Sequence, residues 1–209
     1  MYPVFLRLEG QPCLVVGGGA VAERKVRALL AAGASVRVVS PTLTEALAGL
    51  AREGRILYVR RGYRPGDLAG VLLVVAATAS PALNTRIARD CRARRILVNV
   101  VNAPEAGNFL VPAVLRRGAL VIAVSTGGKS PLLARILRDE LAARYGPEYA
   151  DLPELVGELR KGLRGDPARR EEIARRLATV LREKRWDVLE ELVLGAHSGG
   201  GSQPSHGGG

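Results

Sequence analysis

The stretch from Cys13 to Lys25 constrains this chain more than any other. A short apolar run, Cys13-Leu14-Val15-Val16, breaks into Gly17-Gly18-Gly19 and then into the helix-forming Ala20-Val21-Ala22-Glu23-Arg24-Lys25. A strand, a glycine turn of the form G-x-G-x-x-A and a helix make the phosphate-cradling start of a dinucleotide-binding fold. Gly17 permits the tight turn, Gly19 lets a pyrophosphate approach the backbone, and Ala22 is small enough for helix and strand to pack closely. The unpaired N–H groups at the helix N-terminus then face the phosphates. A tight strand-to-helix turn that binds nothing would use the same residues.

The pattern continues downstream. A helix is expected over residues 21–32, a strand over 36–40, a short helix over 44–53 and a strand over 56–59. The continuous apolar run 71–76 reads as a strand buried on both faces. A helix over 84–94 and a strand over 96–100 follow. Strands alternating with helices at this spacing predict an α/β fold with a mostly parallel, Rossmann-like sheet and right-handed crossovers. Residues 2–9 read as an edge strand or lead-in. Beyond residue 108 the pattern changes. Residues 109–113 and 120–124 read as two strands joined by a turn over 114–118, which fits an antiparallel extension or strands exchanged between subunits. Residues 131–144 read as a helix, and 151–194 as helices only, with apolar positions at helical spacing over 169–183 and 184–194. From Gly195 on, the composition is that of a flexible tail.

The chain has 209 residues, of which 47% are apolar, enough to bury a core. No apolar run is long enough to span a bilayer, and the first residues do not read as a signal peptide. Cys13 and Cys91, the only cysteines, fall in a strand and a helix and fit neither a disulfide scaffold nor a metal cluster. The expected compartment is the cytoplasm. His197 and His206, the only histidines, sit in or beside the tail, which argues against a catalytic histidine and a metal site. The net charge of +11 is uneven: residues 1–145 hold 21 basic and 9 acidic side chains, the remainder 10 and 11. A basic surface without a message and attraction of an anionic ligand are both open readings. Nucleic acid is disfavoured, because aromatic residues make up only 4% of the chain and the basic residues are interleaved with apolar ones.

Ligands of open α/β sheets bind at the carboxyl ends of strands. Four further loops are candidates there. Ser40-Pro41-Thr42 follows the second strand and holds no Asp or Glu, so no carboxylate chooses between NAD and NADP. Ala76-Ala77-Thr78-Ala79-Ser80 is made of small residues that would let a cofactor lie against the backbone. Asn99-Val100-Val101-Asn102-Ala103-Pro104-Glu105 offers two amides that donate and accept but take up no proton; satisfying turn backbone is the other use such residues have. Ser125-Thr126-Gly127-Gly128-Lys129-Ser130-Pro131 lacks P-loop spacing. It reads as a ligand-contacting loop or as a plain helix cap.

Taken in order, Tyr2 to Leu6, Val15 to Lys25, Val98 to Val101, Asn108-Phe109, and Val124 to Pro131 with the helix after it resemble the precorrin-2 dehydrogenase/sirohydrochlorin ferrochelatase family. The resemblance covers roughly residues 1–150. It implies an NAD-binding Rossmann domain (1–112), a dimerisation segment (113–145), a small all-helical C-terminal domain (146–195) and a tail (196–209). It also implies a homodimer, and an anionic tetrapyrrole with eight carboxylates as substrate in a cleft between domains. NAD contacts would fall on Gly17, Gly18, Gly19, Ala20, Val21, Pro41, Thr42 and Thr78. Asn102 and Thr126 would occupy the catalytic positions, and Asn99, Asn108, Ser125 and Lys129 would meet the substrate. One departure stands out. The family usually has Asp where this chain has Asn102, and Asn cannot act as a general base. Oxidation of precorrin-2 to sirohydrochlorin is therefore the expected activity. Metal insertion into sirohydrochlorin and a non-enzymatic NAD-sensing module are the alternatives.

Overall fold

In a computed structural model, residues 1–162, 166–186 and 188 are described. The chain divides into two compact units. One comprises residues 1–112 with 126–130; the other comprises 113–125 with the described residues from 131 on.

The first unit is a doubly wound α/β layer structure. Its elements are β1 (Pro12–Val16), α1 (Ala20–Ala31), β2 (Ser35–Val39), α2 (Glu45–Arg52), β3 (Leu57–Val59), β4 (Leu73–Ala76), α3 (Pro81–Ala93) and β5 (Leu97–Val100). All five strands are parallel, in the order β3-β2-β1-β4-β5. Alternation along the strands assigns each side chain to one face. Cys13, Val15, Val36, Val38, Leu73 and Val75 pack with Val26, Leu29 and Leu47 of α1 and α2. Leu14, Val16, Val74, Ala76, Val98 and Val100 pack with Ile87, Ala88 and Cys91 of α3. Each fully buried branched side chain contributes roughly 1.5–3 kcal/mol, and central strands covered on both faces are apolar throughout. The two cysteines are buried as expected. Burial pushes the Cys13 thiol up to about 11 and the Cys91 thiol up to about 12, so both stay protonated at neutral pH.

Chain order reverses between β1 and β4. The chain leaves β1 toward β2 on one side and returns to β4 on the other, so a crevice opens at their carboxyl ends. Helix α3 begins three residues earlier than its apolar periodicity suggested. Ser80 caps it by accepting from Leu83 N at 3.3 Å, and Pro81 fills the first helical position. That start places Asn84 in the first turn, buried against the sheet.

The second unit holds a hairpin of β6 (Ala113–Arg117) and β7 (Leu120–Val124), then α4 (Pro131–Arg144), α5 (Leu152–Gly162) and α6 (Pro167–Glu183). The antiparallel hairpin agrees with the sequence reading, but its first strand does not. The strand lies over 113–117, not 109–113, and the turn is at Gly118-Ala119. Leu115 supplies the inward side chain of β6, 5% exposed, while Gly118 takes the left-handed conformation the turn needs (φ +50°). Residues 1–8 form no strand and serve as a lead-in. Arg117 donates from Nε to the Tyr145 carbonyl at 3.1 Å, beyond the end of α4. Tyr145, Tyr149 and Trp186 stack edge to face with centroids 5.1 Å apart in each pair. His197, His206 and the tail lie outside the described residues.

The connection from β3 to β4 is fixed by Asp67, which is 5% exposed. Its carboxylate accepts two bonds from Arg61, at 2.8 and 2.6 Å, and one from Arg64 N at 2.8 Å. The Arg61 guanidinium holds the Asp67 carboxyl below its usual value of 3.8. A lowered carboxyl stabilises the fold above the usual carboxylate range and loses that effect as pH falls below it. Asp67→Asn is expected to lower the melting temperature by several degrees at neutral pH, with the difference from the parent shrinking near pH ~3. Thermal denaturation of both proteins across that range checks it.

Candidate functional site

The crevice floor is built from glycines that face three different surroundings. Gly17 sits at φ +125°, and a Cβ there would lie 2.3 Å from the Ala77 carbonyl oxygen at the end of β4. A Cβ on Gly18 would lie 1.9 Å from the Thr42 carbonyl oxygen, in the loop after β2. Backbone packs directly on backbone at both places, so neither can carry a side chain. A Cβ on Gly19 would meet nothing within 4 Å. Gly19 is therefore the glycine whose side faces open space, and it is also the N-cap of α1. No side chain caps that helix, and the first intrahelical bond runs from Glu23 N to Gly19 O at 3.0 Å. The preceding amides, those of Ala20, Val21 and Ala22, are a helix N-terminus open to an anion. Val21 is 39% exposed beside them. A cradle a Cβ would fill, at an uncapped helix N-terminus, fits the pyrophosphate of a dinucleotide.

The loop after β2 forms the second wall. Pro41 and Thr42 are exposed, while Ser40 is buried. Tyr58 donates its hydroxyl to the carbonyls of Ser40 and Pro41, at 3.1 and 3.3 Å. Thr44 N donates to Gly18 O at 2.9 Å, and Thr44 Oγ1 donates to Glu23 Oε2 at 2.8 Å. Glu23 also accepts from Arg27 Nε at 3.0 Å. The Thr44 and Arg27 hydrogen bonds hold the Glu23 carboxyl below its usual value. Glu23 thus ties α1 to the loop carrying Pro41 and Thr42, a role that inspection of the glycine motif missed.

The third wall joins the ends of β4 and β5. Asn84 is 1% exposed and uses its whole amide. Its Oδ1 accepts from Thr78 N at 3.2 Å and from Thr78 Oγ1 at 2.7 Å. Its Nδ2 donates to the Thr78 carbonyl at 3.1 Å and to Asn102 Oδ1 at 2.9 Å. Thr78 and Asn102, both picked out from sequence, are brought together through Asn84, which was not. A Ser-Pro helix start followed by a buried polar residue was the available signal.

Asn99 and Asn108 serve the edge of β5. Asn108 accepts from Val98 N at 2.7 Å and donates to the Ile96 carbonyl at 3.0 Å, so its side chain pairs like a strand. Asn99 is 6% exposed and donates to the Phe109 carbonyl at 3.3 Å. Glu105 lies in a short turn whose carbonyl accepts from Arg92 at 3.2 Å. In the glycine loop, Thr126 Oγ1 accepts from Ser130 N at 2.9 Å and donates to Ser130 O at 3.0 Å. Gly127 and Gly128 are left-handed (φ +69° and +84°), and Lys129 is exposed. Ser125 belongs to the second unit. Among the described residues, no group of three or more His, Cys, Asp or Glu could hold a metal ion, and no helix is long and apolar enough to cross a membrane.

Residues 4–113 match a family described as "Putative NAD(P)-binding". The chain belongs to this family. Residues 117–144 match a second, described as "Sirohaem biosynthesis protein central". The chain is similar to the siroheme synthase of Methylobacillus flagellatus, 44% identical over 162 residues, covering 78% of this chain and 35% of that protein. It is 46% identical over 158 residues to the siroheme synthase of Pseudomonas entomophila, covering 76% and 34%. The chain thus spans about a third of the length of these relatives. Among solved structures it resembles SirC, a precorrin-2 dehydrogenase, with a TM-score of 0.75 and 28% identity, covering 95% of this chain and all of that one. These matches bear out the resemblance and the Rossmann-like fold read from the sequence.

Gly19 and Gly17 should respond differently to one added methyl group. Gly19→Ala is expected to keep its melting temperature and weaken dinucleotide binding by about tenfold or more, the value of a hydrogen bond to a charged group. Gly17→Ala should lose folded protein instead, since both its φ and the Ala77 carbonyl forbid a Cβ. Differential scanning calorimetry and a titration of NAD or NADP followed by protein fluorescence separate the two.

Proposed function

We propose that this chain oxidises precorrin-2 to sirohydrochlorin, with NAD as the acceptor. The open face of Gly19 at the uncapped N-terminus of α1 carries the reading. The likeness to SirC over nearly the whole chain and to siroheme synthases over residues of both units supports the substrate. The excess of basic residues before residue 146 suits an acidic macrocycle.

In this reading the amides of Ala20 to Ala22 hold the pyrophosphate, and the loop carrying Pro41 and Thr42 packs against the adenosine half. When bound, NAD would supply the hydride acceptor, and the oxidation would leave one proton to be released. Thr78 and Asn102 line the wall at the ends of β4 and β5. Asn102 presents an amide, which orients a substrate group but takes up no proton. The proton leaves to water, to a substrate carboxylate or to Glu105, so hydride transfer asks the chain for positioning rather than a base. Metal insertion must remove two pyrrole protons, and Asn102 cannot assist. Chelation is accordingly the second reading, and a purely NAD-sensing module the third.

The same reading makes the protein a cytoplasmic homodimer. Leu132, Ile136 and Leu137 of α4 are 61%, 46% and 37% exposed, and Tyr2 and Phe5 of the lead-in are 88% and 72% exposed. Exposed apolar side chains on α4 suit burial against a second copy. Ile136→Glu is expected to yield monomer by light scattering where the parent yields dimer.

Purified protein mixed with precorrin-2 and NAD should form NADH and sirohydrochlorin in equal amounts, read by absorbance. No NAD-dependent product at high enzyme concentration rejects the assignment. Asn102→Asp, assayed for both reactions, is expected to raise metal insertion more than dehydrogenation.

A further inference from the structure

We infer that Asn84 is a positioning residue that sets the hydrogen-bonding polarity of Asn102 and turns it into a donor toward a carboxylate of the substrate. The polarity is set at the backbone of Thr78. A peptide N–H can only donate and a peptide C=O can only accept. Asn84 meets both, with Oδ1 3.2 Å from Thr78 N and Nδ2 3.1 Å from the Thr78 carbonyl. Turning the amide over would set N–H against N–H and oxygen against oxygen in a position only 1% exposed. An unmet buried polar group is costly, so the backbone fixes which way Asn84 points.

Its second N–H then faces residue 102 and requires an acceptor there. Asn102 meets it with Oδ1 at 2.9 Å. With its oxygen engaged by Asn84, the N–H2 group of Asn102 is left to face away from Asn84, and Asn102 itself is exposed. The order runs from Thr78 backbone to Asn84 to Asn102, across the ends of β4 and β5. What Asn102 offers a ligand is two donors. That suits a carboxylate and excludes acceptance of a pyrrole proton. An aspartate at position 102 would satisfy Asn84 with one oxygen and present the other outward as an acceptor. Asn84 therefore serves either residue, while the identity of residue 102 decides whether the site donates or accepts.

The carboxylate partner rests on the proposed tetrapyrrole substrate; the polarity of Asn102 does not. The test has one arm for each. Without ligand, protein carrying nitrogen-15 asparagine is compared by NMR with Asn102→Ala, whose fold is checked by circular dichroism and melting temperature. The Asn84 side-chain protons should exchange slowly in the parent, and one of them about tenfold or more faster in Asn102→Ala. The carboxyl introduced by Asn102→Asp should titrate about one unit lower beside Asn84 than beside Asn84→Ser. Unchanged exchange together with equal titration overturns the control of Asn102 by Asn84.

With ligand, sirohydrochlorin binding is followed by fluorescence for Asn84→Ser, Asn102→Ala and the double variant. Each single change should weaken binding about tenfold, and the double should be no weaker than Asn102→Ala alone. Additive losses overturn the proposal, because Asn84 would then act by a route of its own. A parent protein that binds no sirohydrochlorin overturns the carboxylate contact and the functional reading together, and leaves the ligand-free arm to decide the role of Asn84.

Discussion

The contact of backbone on backbone at the carboxyl ends of β1, β2 and β4 is what the first unit depends on. Gly17 lies against Ala77 and Gly18 against Thr42, at separations that leave no space for a Cβ. This contact draws three strand ends together and lets α1 begin at once after the turn. Only then does the open side of Gly19 fall beside the first amides of the helix. A wider junction would leave the same glycines in the sequence but set the amides apart from the walls of the crevice. Close packing is thus the cause of the anion site, and the glycines serve two purposes that a motif alone does not separate. Gly17 and Gly18 are needed by the fold, while Gly19 faces open space and, on the proposed reading, serves the ligand.

Around that junction, neutral hydrogen bonds hold the walls. Tyr58 fastens the carbonyls after β2, Thr44 fastens Gly18, and Asn84 fastens Thr78 to Asn102. Glu23, the carboxylate beside the glycine turn, is turned onto Thr44 and Arg27. Such an arrangement suits two ligands that are both acidic. Amide and hydroxyl dipoles orient a phosphate or a carboxylate without adding a negative charge that would repel it.

Much of this was legible in the sequence because its causes are local. Strand positions followed from apolar runs such as Val71 to Ala76, and the cradle from the spacing of Gly17, Gly19 and Ala22. What escaped was set by tertiary contact. The strand read at residues 109–113 is apolar enough, but Asn108 pairs with the edge of β5 and the chain enters its own hairpin only at Ala113. The arginines of that hairpin, Arg116 and Arg117, made a real strand look like a turn. Asn84 escaped because its importance lies in two partners, one six residues and the other eighteen residues away. A buried amide in a first helical turn looks in sequence like any polar residue of an amphipathic helix. Glu23 escaped for a related reason, since a carboxylate in the first turn is already explained by the helix dipole.

The departure at position 102 then takes on a definite meaning. Hydride loss from a macrocycle moving toward aromaticity gives a proton that solvent can accept, whereas metal insertion needs a group that removes protons held by pyrrole nitrogens. On the proposed reading, a carboxylate at that position would serve both reactions, and an amide would serve the first by orientation alone. Because Asn84 is held by the backbone of Thr78, it accommodates either residue without rearrangement. The scaffold need not change for the chemistry to narrow. On the proposed reading, a single exchange of oxygen for an N–H2 group, on a side chain already held in place, would separate a site that positions its substrate from one that also deprotonates it.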